Sequence, residues 1–176
     1  MPQCHASLPP SPWILCWQRL IPPDGPILDV ACGSGRHSRL FLAAGREVCA
    51  IDRDAGALDD LRTHPSAETV VADLEDGTPW PLPDRRFAAV IVTNYLHRPL
   101  FPHLLAALEP GGVLLYETFA VGHERLGRPS NPDFLLRDGE LLDVVRGRLR
   151  TVAYEAVELT EPERIVQRIA AVRPRR

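Results

Sequence analysis

The sequence predicts an α/β domain, a doubly wound and mostly parallel sheet with helices on both faces. Three observations carry that prediction. Short apolar runs bounded by turn residues alternate with segments whose apolar residues fall three or four apart, as parallel strands joined by crossover helices do. The first run leads straight into a glycine-rich turn, Gly33-Ser34-Gly35. The next two runs end on acidic residues, Asp52 and Asp73. A chain of 176 residues, 45% hydrophobic and 24% charged, has the size and composition of one globular domain that needs neither disulfide nor metal to fold. The whole chain, 1–176, is therefore read as a single domain.

Each element has its local reason. Residues 1–12 are rich in Pro and Ser and are expected to be loose. Residues 13–20 suit a short helix, stopped by Pro22-Pro23, and Asp24-Gly25-Pro26 is turn chemistry. The apolar run 27–31 is a buried strand; residues 36–44 then form a helix with Leu40, Phe41 and Ala44 on one face and Gly45 at its end. The rhythm repeats with a strand at 48–51, a helix at 55–62 and a strand at 68–72. A proline-rich loop leads to a strand at 87–92, a helix at 100–108 stopped by Pro110-Gly111-Gly112, and a strand at 113–117. Beyond a polar loop at 120–136, Asp138 is expected to cap a helix running to Gly147, and two strands follow at 151–157 and 165–172.

Composition excludes several function classes. All 20 basic residues are Arg, so a Lys Schiff base and a phosphate-loop Lys are both impossible. The four Cys form no C-x-x-C pair, no metal-ligand spacing appears, and unpaired thiols fit a reducing compartment. No run approaches the roughly 20 apolar residues of a membrane span, and no leader pattern opens the chain, so the expected address is the cytoplasm, away from membranes. A net charge of −3 argues against a protein built to neutralise nucleic-acid phosphates.

The glycine turn carries the chemistry. A strand, a Gly-rich turn and a helix place a ligand at the strand's carboxyl end, where Gly33 and Gly35 let backbone approach it. Asp52 ends the next strand, where a carboxylate can accept both hydroxyls of a ribose. A dinucleotide fingerprint needs a third glycine where this chain has Ser38. The other cofactor with this geometry is S-adenosylmethionine, whose pattern is an acidic residue followed by small residues around G-x-G. Asp29-Val30-Ala31-Cys32-Gly33-Ser34-Gly35 fits it, with Ala31 in place of the first glycine.

From residue 27 to 119 the chain resembles class I S-adenosylmethionine-dependent methyltransferases, and within them the small bacterial group of tellurite-resistance-type and thiopurine-type enzymes. Asp29 to His37, Asp52, Asp73, Asn94 and Pro110-Gly111-Gly112 fall in the order of that resemblance. It implies a Rossmann-like sheet of seven strands with the last antiparallel. It also implies site roles. Gly33 and Gly35, with Ala31, underlie the methionine part of the cofactor, Asp29 orients its amino group, and Arg36 is a further candidate near its carboxylate. Asp52, with Arg53 beside it, takes the ribose; Asp73 and Leu74 take the adenine; Asn94 sits at the methyl end.

The acceptor is expected at the ends of the fourth and fifth strands. Tyr95, His97, Glu117, His123, Arg125 and Arg128 are the candidates there, with His97 and Asn94 the catalytic ones. Bland readings stand beside these. Asp54 caps the following helix, Cys32 is a small filler, Tyr95 packs, and His97 is a helix-entry residue. Asp73 belongs to a solvated acidic loop, and residues 122–134 form a solvated loop whose Asn131-Pro132-Asp133 begins a helix. Counting residues 27–118 as the cofactor core leaves 26 before and 58 after, enough for a small-molecule acceptor or for help from the other subunit of a homodimer. Two alternatives remain. Eight Arg from residue 146 onward suggest an RNA- or protein-directed methyltransferase, and a non-catalytic cofactor-binding regulator would carry the same motifs.

Overall fold

The structure, a computed structural model, describes residues 8–175; the expected loose leader therefore falls largely outside the described residues. Seven strands form one sheet in the order β3-β2-β1-β4-β5-β7-β6. They are β1 (Ile27–Val30), β2 (Val48–Asp52), β3 (Ala67–Val71), β4 (Phe87–Thr93), β5 (Leu108–Phe119), β6 (Arg150–Thr160) and β7 (Glu163–Val172). Strands β3, β2, β1, β4 and β5 pair in parallel, and β7 runs antiparallel to both β5 and β6. The doubly wound, Rossmann-like sheet expected from the sequence is the one observed.

Helices cover both faces. On one face α1 (Pro12–Trp17), α2 (Arg36–Ala43) and α3 (Asp59–Arg62) bury Trp13, Ile14, Phe41 and Leu61 against Ile27, Ala50, Ile91 and Leu115. On the other, α4 (Phe101–Ala106) and α5 (Glu140–Val145) bury Leu104, Leu105, Leu141 and Val145 against Leu28, Val90, Leu114 and Tyr116. Because β1 and β4 are covered twice, they are buried almost continuously and not in alternation, with Asp29 the one charged residue among them. Between β3 and β4 a proline-rich loop does the work of a helix. Trp80 and Leu82 enter the core, and the Trp80 indole N–H donates to the Leu82 carbonyl at 2.9 Å.

Several boundaries differ from the sequence reading, each for a local reason. Residues 8–12, expected loose, lead directly into α1. Ser11 is buried and caps the helix, its hydroxyl accepting from the Trp13 N–H at 3.1 Å with Pro12 in the first turn. The helix expected at 55–62 divides into a 3₁₀ turn, Gly56–Leu58, and the single turn of α3. Pro110-Gly111-Gly112 does not stop a helix; it lies inside β5, where the register with β4 shifts. Asp138 does not cap α5, because Gly139 in the left-handed region holds that position. The last two strands extend to meet around Pro162 in a long hairpin whose outer strand, β6, is largely exposed.

Candidate functional site

The carboxyl ends of β1, β2, β3 and β4 open into one cleft. Between β1 and α2 the chain turns through three left-handed residues, Ala31 (φ 50°), Gly33 (φ 54°) and Gly35 (φ 76°). Gly35 is fixed by packing, since a Cβ there would lie 2.6 Å from Leu61 Cδ1. Over Gly33 the space is open, with nothing within 4 Å of such an atom. Ala31 adopts a conformation that costs a non-glycine residue roughly 1–2 kcal/mol. Across the cleft, Asn94 at the end of β4 does the same at φ 55°. Strain of this kind persists where a site over-determines the backbone, and it borders one ligand-sized space, with Ala31 on the wall and Asn94 one residue before the wall residue Tyr95.

That space is a cavity of ≈ 210 Å³ lined by Ala31, Asp52, Arg53, Ala72, Asp73, Leu74, Glu75 and Tyr95. Asp52 anchors it. One carboxylate oxygen accepts the Gly33 N–H at 2.7 Å, and the other accepts the Asp54 N–H at 2.9 Å. Asp52 is thus tied to the backbone on both oxygens, and each oxygen keeps a second lone pair for a ligand. Asp54 caps the next turn by accepting from Gly56 and Ala57. Asp73 accepts the Glu75 N–H at 3.0 Å in a tight turn that leaves it on the cavity wall. Burial, with Glu75 and Asp73 beside it, raises the Tyr95 phenol well above its ordinary value, so it stays protonated. Its backbone carbonyl accepts from the Tyr116 hydroxyl at 2.8 Å. Two carboxylates on the cavity wall and open space over a glycine offer acceptors to a hydroxyl-bearing ligand at the strands' carboxyl ends.

Asp29 is placed differently from the other acids. It is buried under the first turn of α2, where its carboxylate accepts both the N–H and the hydroxyl of Ser38, at 2.9 and 2.6 Å. Burial pushes its carboxyl up to about 6, against the opposing pull of Ser38 and Arg36. Cys32 is half-buried, and burial with Asp29 and Asp52 nearby raises its thiol far above the ordinary range. It is an inert filler, as is buried Cys49, pushed up to about 12.

The acceptor-side candidates separate. Tyr95 is on the cavity wall, and Asn94 directly precedes it. His97 lies in an adjoining hollow of ≈ 360 Å³ with Trp80 and His103, which shares Ala72 to Glu75 with the first cavity. His123 is buried and stacks on Phe119 at 4.3 Å. Its Nδ1 accepts the Ile165 N–H, and its Nε2 lies 3.1 Å from the Arg128 carbonyl. It fastens the loop to β7. Arg125 bonds back to the Gly122 carbonyl, and Arg128 is exposed. None of these three is brought to the cavity. Asn131 begins a 3₁₀ turn by accepting from the Asp133 N–H.

Glu117 is also absent from the cavity wall. It is fully buried at the end of β5, where its carboxylate accepts the Ser11 hydroxyl at 2.9 Å and pairs with Arg168 at 3.3 Å and Arg164 at 3.7 Å. Around it, the Ser11 N–H donates to His37 Nε2 at 3.0 Å, so the ring proton sits on Nδ1, facing the Thr93 hydroxyl at 3.5 Å. Burial and the Arg36 charge hold His37 near 3, and so neutral. Arg36 reaches the Pro9 carbonyl and the Thr93 hydroxyl. The sequence reading missed Ser11, His37, Arg164 and Arg168. The last two were legible as charges four apart, hence on one face of the apolar strand 163–172.

Among the described residues no group of three or more His, Cys, Asp or Glu could hold a metal ion, and no helix is long and apolar enough to cross a membrane.

Residues 27–112 match the family described as a methyltransferase domain. A trans-aconitate 2-methyltransferase of Sinorhizobium medicae is 38% identical over 97 residues, which are 52% of this chain and 37% of that protein. The chain spans about 40% of the length of the curated relatives it first matches. Among solved structures, a SAM-dependent methyltransferase from Methanosarcina mazei superposes with a TM-score of 0.72 at 18% identity, covering 96% of this chain and all of the other. TehB from Haemophilus influenzae gives 0.72 at 16% identity, covering 91% of this chain and 61% of that one. At such identities these two establish the shared fold.

Proposed function

We propose that the chain is a class I S-adenosylmethionine-dependent methyltransferase that transfers the cofactor's methyl group to a small-molecule acceptor, a reading supported by the methyltransferase-domain match over residues 27–112. The observation that carries the reading is the pairing of Asp52 with Gly33. A carboxylate at the end of β2 locks onto the glycine loop at 2.7 Å and still faces the cavity.

Bound there, the cofactor supplies an activated methyl on a positively charged sulfur. Asp52 would accept the ribose hydroxyls and Asp73, with Leu74, would frame the adenine. The open backbone at Gly33 would take the methionine portion, and Arg36 its carboxylate. Asp29 would act through Ser38 and the loop, because its carboxylate is already engaged there. Asn94, held left-handed with its N–H on the Glu117 carbonyl, would line the methyl end. The protein's contribution is alignment, which can lower such a barrier by up to roughly 7–11 kcal/mol. An acceptor already ionised at neutral pH needs no base, and His97 stands one hollow away.

A small acceptor fits the relatives, one of which is named for trans-aconitate and another for a malonyl group on acyl carrier protein. The RNA-directed alternative loses part of its motive, because Arg164 and Arg168 turn inward onto Glu117. Calorimetry with S-adenosylhomocysteine, followed by a methyl-release assay across carboxylates, thiols, chalcogen oxyanions and small RNAs, tests the reading. Micromolar cofactor binding with turnover on a small acceptor is expected. No cofactor binding would overturn it, and binding without turnover would leave the regulatory module in its place.

A further inference from the structure

The end of the sheet beyond Asn94 holds more positive charge than its acids neutralise. Arg36, Arg164 and Arg168 gather around Glu117, with Glu155 as the second acid. Arg168 is well matched. It bonds Glu117 and Glu155 and lies over the Trp13 ring at 4.9 Å. The other two are not. Arg36 contacts only neutral oxygens, those of Pro9 and Thr93, and desolvation together with the Arg164 charge opposes its ionised form, which Glu117 supports. Arg164 has one long contact to Glu117 at 3.7 Å, its side chain is 14% exposed, and its Nε is buried with no partner among the described residues. A guanidinium this buried normally meets a carboxylate in a two-pronged arrangement. Burying it half-paired carries a desolvation penalty that a second anion would relieve.

The position of the cluster gives the missing anion a role. Arg36 follows the glycine loop directly, Thr93 and Asn94 end β4, and the Asn94 N–H is bonded to the Glu117 backbone. The underpaired arginines therefore flank the methyl end of the proposed cofactor position and not its adenosine end, whose wall is acidic. With Arg36 left to the cofactor's own carboxylate, we propose that Arg164 recognises a carboxylate of the methyl acceptor, which makes that acceptor a carboxylic acid. The inference rests on the methyltransferase reading above and names the substrate class of that same site.

The test uses the full chain saturated with S-adenosylhomocysteine and titrated with trans-aconitate as the carboxylate probe. Its trimethyl ester serves as the neutral counterpart, with succinate and citrate as further acids. At least one acid is expected to bind and the ester is not, with affinity falling as salt is raised. Arg164→Gln should weaken that binding tenfold or more while leaving the S-adenosylhomocysteine affinity within twofold. Arg164→Lys, which keeps the charge, should recover part of the loss and shows that the effect is not one of folding. Equal binding of acid and ester, no binding of any acid, or an unchanged affinity in Arg164→Gln would each overturn the assignment while the cofactor reading stands. Absence of S-adenosylhomocysteine binding would overturn both.

Discussion

The cavity and the charge cluster beside it solve opposite electrostatic problems with different parts of the chain. Around the cavity the acids Asp52 and Asp73 are fixed by backbone N–H groups, two residues on in each case and, for Asp52, also at Gly33 on the neighbouring strand's loop, and they stay at the surface. In the cluster Glu117 is buried and is satisfied only by side chains from distant parts of the chain, Ser11, Arg164 and Arg168. The first arrangement leaves lone pairs free for a ligand. The second consumes them to clamp the N-terminal segment and β7 onto β5. A carboxylate at a strand end is therefore not a site by position alone; what satisfies it decides whether it binds or braces.

The largest effect expected from breaking this contrast is at the brace. Glu117→Ala leaves Arg164 with no acid and Arg168 with Glu155 alone in a largely buried setting, and should cost about 3–5 kcal/mol of stability, read as a large fall in denaturation midpoint. Next comes the pH dependence of Asp29, beneath α2, and His37, in its first turn. The Asp29 carboxyl is raised by burial to about 6, so its contribution is fully present below the unfolded value near 3.8 and is lost as pH rises through about 6. His37 is depressed by burial to about 3, so its contribution is present above about 6.5 and is lost as pH falls toward 3. Between pH 6 and 4 the two slopes oppose one another. Asp29→Asn should expose a loss of roughly 1.4 kcal/mol per pH unit on acidification, and His37→Gln a gain of similar size, measured by urea denaturation across that range. Parallel slopes in the two variants would remove the assignment.

At the binding end, Asp52→Ala should weaken S-adenosylhomocysteine by about 1.5–3 kcal/mol in calorimetry, with a far smaller fall in stability than Glu117→Ala gives. A larger loss of stability than of affinity would make Asp52 a second brace. The smallest effect is that of Ser11→Ala, which removes a helix cap and one bond to Glu117 and should cost about 1–2 kcal/mol of stability.

Much of the cavity wall was legible in the sequence because its geometry is local. Gly33, Gly35, Asp52 and Asp73 sit at strand ends whose apolar runs announce them, and the bonds of Asp52 to Asp54 and of Asp73 to Glu75 follow from the turns themselves. The brace was not legible. Glu117 and His123 read as acceptor-side candidates, since nothing nearby in sequence shows that Ser11 lies on one and the Ile165 N–H on the other. The docking of residues 8–11, the inward turn of Arg164 and Arg168, and the strand character of Pro110-Gly111-Gly112 were missed for the same reason.

By itself, then, the amino-acid order determined the parallel sheet, its strand sequence along the chain, and the half of the cleft built from backbone turns. Periodicity and glycine placement act over a few residues and need no partner. Only the tertiary structure decided which charges face a ligand and which face each other. That choice depends on contacts between residues about 50 to more than 100 positions apart, and a charge's environment, unlike its identity, is set by whatever folds over it.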